Sequence, residues 1–129
     1  MDIQKEIKYW IDLADRDYPL MDHLFDSKYY LWCLYIGHLN LERLLKGLYT
    51  QVNEDKPPKI HNLVVLAEKS NLELSNEKKL IFDHINEFQI EARYADAKFE
   101  LYKKCDYNYT LKYLNFIKEN IKWIKSLIK

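Results

Sequence analysis

The chain has 129 residues, with 20 Lys and Arg against 20 Asp and Glu, and eleven Tyr, five Phe and three Trp beside only two Gly and three Pro. That length and apolar content fit one domain around one core and exclude a disordered chain. Two glycines cannot build a Gly-rich phosphate loop, a dinucleotide fingerprint or a nucleophile elbow, and the shortage of turn residues argues against an all-β fold. An all-α protein is expected.

In chain order, Ile3, Ile7, Trp10, Ile11 and Ala14 recur at three and four and predict an amphipathic helix from residue 2 to about 17, with Pro19 ending it nearby. Asp22, Asp26 or Ser27 can cap a second and longest helix, whose stripe is Leu31, Leu34, Tyr35, His38, Leu41, Leu45, Leu48 and Tyr49. Pro57 and Pro58 force an extended connection, followed by a short helix from about Asn62 to Lys69. Ser75 caps a fourth helix marked by Leu80, Ile81, Ile85, Phe88 and Ala92, and no breaker stops it before about Lys104. Asp106 or Asn108 opens the last helix, with Leu111, Leu114, Ile117, Ile121, Ile124 and Ile128 on one side. Short loops favour a single-domain antiparallel bundle of four to five helices spanning residues 1–129. Trp10, Tyr30, Trp32, Phe116 and Trp123 are expected in the core or an interface rather than on a base-stacking platform.

The zero net charge is uneven along the chain. Residues 1–55 carry six basic and ten acidic side chains, whereas residues 98–129 carry eight Lys against Glu100, Asp106 and Glu119. Lys118, Lys122, Lys125 and Lys129 fall on one helical face, which either solvates, meets the acidic first helix, or holds phosphates nonspecifically. Cys33 and Cys105 lack metal or redox spacing and read as free thiols of a reducing compartment. With no long uncharged apolar stretch and charges at the N-terminus, a cytoplasmic protein without membrane contact is expected.

Candidate chemistry is sparse. His38 with Glu42, and His84 with Glu87, have the one-turn spacing of helical metal ligands, but the first and last helices offer no matching set, so no metal is expected and His38 reads as a satisfied interior histidine. No nucleophile has an activating context, and no catalytic residue or cofactor is assigned. Arg93, one of three arginines, suits a bidentate grip on carboxylate or phosphate; its alternative is an ion pair with Glu87, Asp96 or an acid on another helix. Asn62 can cap the third helix while His61 points into a cleft.

These segments together resemble the HEPN family, the helical domain named for higher eukaryotes and prokaryotes nucleotide-binding. The first-helix run Tyr9-Trp10-Ile11-Asp12-Leu13-Ala14-Asp15, the His38-x-x-x-Glu42-x-x-x-Lys46 run, Pro57-Pro58-Lys59-Ile60-His61-Asn62-Leu63 and Ala92-Arg93-Tyr94-Ala95-Asp96 each match a family motif, in order, over nearly the whole chain. The resemblance implies a helical bundle that forms a homodimer, with a minimal nucleotidyltransferase as partner in a toxin-antitoxin pair, and ligand-facing residues at Arg93, Tyr94, Asp96, His61 and Asn62. Many members are ribonucleases with an Arg followed after four to six residues by a His. No His follows Arg93 in this chain, and Ala95 stands where the motif has Pro. The expected function is therefore a noncatalytic module that binds a nucleotidyltransferase, a nucleotide or RNA. The alternatives are a ribonuclease toxin with a degenerate site, pairing Arg93 with His61 or His84, and a generic RNA-binding bundle using the lysine face. Tyr102 is a further candidate, as a tyrosine for a partner nucleotidyltransferase to modify.

Overall fold

The computed structural model describes residues 1–91, 100 and 103–129, with the side chains of residues 90 and 91 left aside. These residues form helices α1 (Ile3–Asp26), α2 (Tyr30–Asn53), α3 (Leu63–Lys69), α4 (Asn76–Glu91) and α5 (Tyr107–Leu127). The expected all-α bundle is what the chain builds.

α1 starts at Asp2, whose carboxylate accepts from the Lys5 amide at 3.1 Å. It runs through Pro19 rather than stopping near residue 17. Ile7, Ala14 and Met21 are buried, and Ile11, Tyr18 and Phe25 pack half-buried between them, so one apolar seam continues on both sides of the proline. Burying Met21 and Phe25 against α2 offsets a break of about 3 kcal/mol, and Pro19 itself sits on the exposed face. Asp22 and Asp26 thus lie inside α1, Ser27 closes it, and α2 begins without a side-chain cap. Lys28 takes the left-handed conformation in the three-residue turn.

α2 is the central helix and touches all the others. Arg43 on α2 meets Asp17 at 2.6 Å and the Leu13 carbonyl at 3.2 Å, and Gly47 one turn later lies against Trp10 and Ile7, so α1 and α2 run antiparallel. Arg43 also holds the Asp17 carboxyl below the usual carboxylate range, chiefly through that hydrogen bond. α5 runs alongside α2 in the same direction, as Gly37 lies against Ile117 and Gln51 donates to the Leu127 carbonyl at 2.9 Å. α4 opposes α5: Lys78 lies over Trp123, and His84 stacks on Tyr113 at 4.6 Å. The long helices therefore alternate in direction along the chain.

The core is mainly aliphatic, with Phe82 and Phe88 as its large aromatics. Trp10, Tyr30, Trp32, Phe116 and Trp123, expected in the core or an interface, are half-buried, and Tyr30 and Trp123 pack against the core. Leu80 departs from its expected place and is 72% exposed, since α4 turns Ile81, Phe82 and Ile85 inward instead. Both cysteines are buried, and burial pushes the Cys33 thiol up to about 12. Among the described residues no helix is long and apolar enough to cross a membrane.

Gly37 is a close-approach position. A Cβ there would lie 2.6 Å from Ile117 Cδ1 and 3.1 Å from its Cγ2, and Ile117 is fully buried. Gly37→Ala is expected to cost about 1–2 kcal/mol: overpacking outweighs the roughly 1 kcal/mol gain in helix propensity. Urea unfolding checks this, with Ile117→Val in the same chain restoring part of the loss.

Candidate functional site

Three successive turns of α2 interrupt its apolar stripe with His38, Glu42 and Lys46, which are 1%, 5% and 7% exposed. Such burial of polar groups is stable only with partners. The chain supplies them by returning across α2 after Pro57 and Pro58, an extended passage closed by the Ile60 amide donating to the Pro58 carbonyl at 2.9 Å. His61 then covers Glu42. Its Nδ1 lies 3.0 Å from Glu42 Oε1, while Lys46 Nζ donates to Glu42 Oε2 at 3.1 Å and His38 Nε2 lies 3.0 Å from the His61 carbonyl.

These contacts fix both ring tautomers. A carbonyl only accepts, so His38 donates from Nε2; an ionised carboxylate only accepts, so His61 donates from Nδ1. His38 is neutral: burial brings it down to about 4, against the opposing pull of Glu42, the His61 carbonyl and Asn86. Its Nδ1 is buried without a hydrogen-bond partner among the described residues. The His61 side chain is 51% exposed, and its Nε2 has no hydrogen-bond partner there. A buried carboxylate thus orients a solvent-facing imidazole, which can accept a proton at Nε2 or, as the cation, donate to an anion from it.

Asn62 does what its position predicts as a cap: Oδ1 accepts from the Val64 and Val65 amides at 3.0 and 3.2 Å. The same oxygen accepts from Asn86 Nδ2 at 3.1 Å, and Asn86 Oδ1 accepts from the Leu63 amide at 2.9 Å. Asn62 Oδ1 is thus occupied within the fold, while Asn62 and His61 are both exposed. Arg93, Tyr94, Asp96 and Tyr102 lie outside the described residues.

His84 is engaged elsewhere, with Nε2 2.8 Å from the Tyr109 hydroxyl and one face against Tyr113. The lysine face divides. Lys118 pairs with Asp22 at 2.6 Å and Lys125 with Asp15 at 2.7 Å, so the acidic first helix neutralises part of the basic last one. Meeting the first helix is one of the alternatives that the sequence leaves open for this face; Lys122 has no ion pair among the described residues, and Lys129 is fixed through its backbone amide to Gln51 Oε1 at 2.7 Å. Among the described residues no group of three His, Cys, Asp or Glu is placed to hold a metal ion.

Glu42, Lys46 and Asn86 belong to the site but were not marked as site residues by sequence reasoning. The signal for the first two was present in the four-residue spacing of His38, Glu42 and Lys46, which puts three polar groups on an apolar face. Asn86 carries no such mark, because its role depends on where α4 crosses the start of α3.

Comparison with curated proteins and with solved structures gave no significant match. A family model described as the HEPN domain matches residues 7–127, from the first buried residue of α1 to the last residue of α5. The His38, Glu42, Lys46 and His61 motif positions meet within that span in one network, and the chain belongs to the HEPN domain family.

Proposed function

We propose that this HEPN domain is a noncatalytic module that binds the phosphate of a nucleotide or RNA across its His61 face, as a homodimer partnered by a minimal nucleotidyltransferase in a toxin-antitoxin pair. The observation that carries the phosphate reading is the solvent-facing Nε2 of His61, held by buried Glu42. An imidazolium oriented in this way donates a charge-assisted hydrogen bond without first losing rotamer freedom. Arg93, Tyr94 and Asp96 join it by their match to the family motif. The absence of a His after Arg93 supports the noncatalytic reading.

Calorimetry with mononucleotides and with a short single-stranded RNA tests the ligand, and co-purification with a minimal nucleotidyltransferase tests the partner. His61→Ala and Arg93→Ala are each expected to weaken nucleotide or RNA binding about tenfold, a loss of about 1.4 kcal/mol. Silence in both experiments overturns the proposal.

The Glu42–His61 pair also favours a second reading, RNA cleavage with His61 as the proton acceptor for the 2′-hydroxyl. Of the two histidines available to a degenerate site, His61 offers a ring nitrogen to solvent, whereas His84 spends its Nε2 on Tyr109. Cleavage of RNA by the purified chain that His61→Ala abolishes and His84→Ala spares would establish that reading; intact RNA at high protein concentration would end it.

A further inference from the structure

α1 and α5 both pack on α2 but scarcely on each other, and an open groove of about 870 Å³ lies between them. Two ion pairs mark its length, Lys118–Asp22 and Lys125–Asp15. Between these posts the lining is largely apolar, with Tyr18, Pro19, Phe116 and Ile121, and Lys122 stands among them. Lys118 and Lys125 are each paired with a carboxylate of α1, Glu119 is a further acid of the lining, and Lys122 has no ion pair among the described residues. Lys118 and Lys125 each spend one contact on an α1 carboxylate and are still 30% and 43% exposed, so both keep donors for a ligand.

We propose that this groove binds a small amphiphilic organic anion, a carboxylate or sulfonate carried on a flat apolar body. The apolar body lies against Tyr18, Pro19 and Phe116, and the anionic group meets Lys122 with help from its neighbouring lysines. The volume is in the range of pockets for single small molecules, and an apolar bed with a few converging polar groups is their usual composition. A long polyanion fits less well, because Asp15 and Asp22 cancel charge at both ends of the lysine face. This site is separate from the His61 network and does not depend on the nucleotide reading.

The test uses 1-naphthoate, its cationic counterpart 1-naphthylmethylammonium, and the full chain, with binding followed by NMR. Naphthoate is expected to bind in a 1:1 ratio, at least tenfold more tightly than the cation, with shifts confined to residues 14–22 and 115–125. Lys122→Gln should weaken it about tenfold, Phe116→Ala should weaken it, and Glu119→Gln should tighten it severalfold. Lys122 and Glu119 are exposed, so these two variants should leave the fold intact, as circular dichroism would verify. Equal binding of the two naphthyl ligands, indifference to Lys122→Gln, or shifts centred on His61 would each overturn the proposal, as would no binding at all.

Discussion

Glu42→Ala is expected to lower the unfolding free energy by about 3–5 kcal/mol, the cost of stranding one member of a buried ion pair. Glu42 and Lys46 have side chains 6% and 9% exposed and meet at 3.1 Å, so removing the carboxylate leaves the ammonium with little water. Trp10 offers partial compensation, as its ring centre lies 5.4 Å from Lys46 Nζ. His61 loses its anchor as well, because its Nδ1–H donates to the same carboxylate. Glu42→Gln keeps the shape but has one oxygen where two accept, from Lys46 and from His61, and leaves the ammonium without its counter-charge, so it should still cost more than 1 kcal/mol. Glu42→Gln combined with Lys46→Met should recover much of that loss, because the isolated charge is then gone. Urea denaturation of Glu42→Gln, Lys46→Met and the double variant measures the coupling; a loss below 1 kcal/mol for Glu42→Ala would show that Lys46 finds water instead. Amide exchange around Ile60 and His61 should accelerate in Glu42→Ala even at fixed overall stability, since the connection after the prolines is tied to α2 through this carboxylate.

Stability should also fall by about 3 kcal/mol between pH 7 and pH 4 through His38 alone. The sign follows from proton binding. An unfolded His38 takes up a proton near its ordinary value of 6.5, whereas the folded one resists until about 4. Between those values the unfolded chain binds more protons, so stability rises with pH and is progressively lost on acidification; below about 4 this contribution is exhausted. Burial dominates, and the Glu42 carboxylate 4.0 Å from His38 Nδ1 only moderates it. Asp17 adds loss in the same direction at lower pH, because Arg43 holds its carboxyl down in the folded state and protonation removes that ion pair. His38→Gln retains a donor for the His61 carbonyl but does not titrate. Its thermal midpoint should therefore vary much less between pH 6.5 and 4 than that of the parent chain, and an unchanged slope would refute the assignment.

Helix content and most of the core were readable from spacing. The stripe on α5 through Leu114, Ile117, Ile121 and Ile124 is buried as its period requires, and Asp106 and Asn62 cap the helices they precede. Pro19 misled because its local penalty is fixed by the residue, while the compensation comes from the seam through Met21 and Phe25, which exists only once α1 meets α2. Leu80 misled for a related reason: helical periodicity allows more than one inward face on a short amphipathic segment, and the packing partner selects among them.

By itself the sequence determined an all-α chain, its caps, its shortage of glycine and thus the need for any ligand contact to come from side chains, together with the unusual polar residues His38, Glu42, Lys46 and His61. Only the tertiary structure decided that these four share one network, that Lys118 and Lys125 are partly neutralised by α1 while Lys122 is left in a groove, and that His84 spends its Nε2 on Tyr109 while the Nε2 of His61 is left open. The reason is range: caps and helical periods act within a few residues, whereas burial and charge pairing join positions as far apart as Asp15 and Lys125 and depend on which helix faces meet.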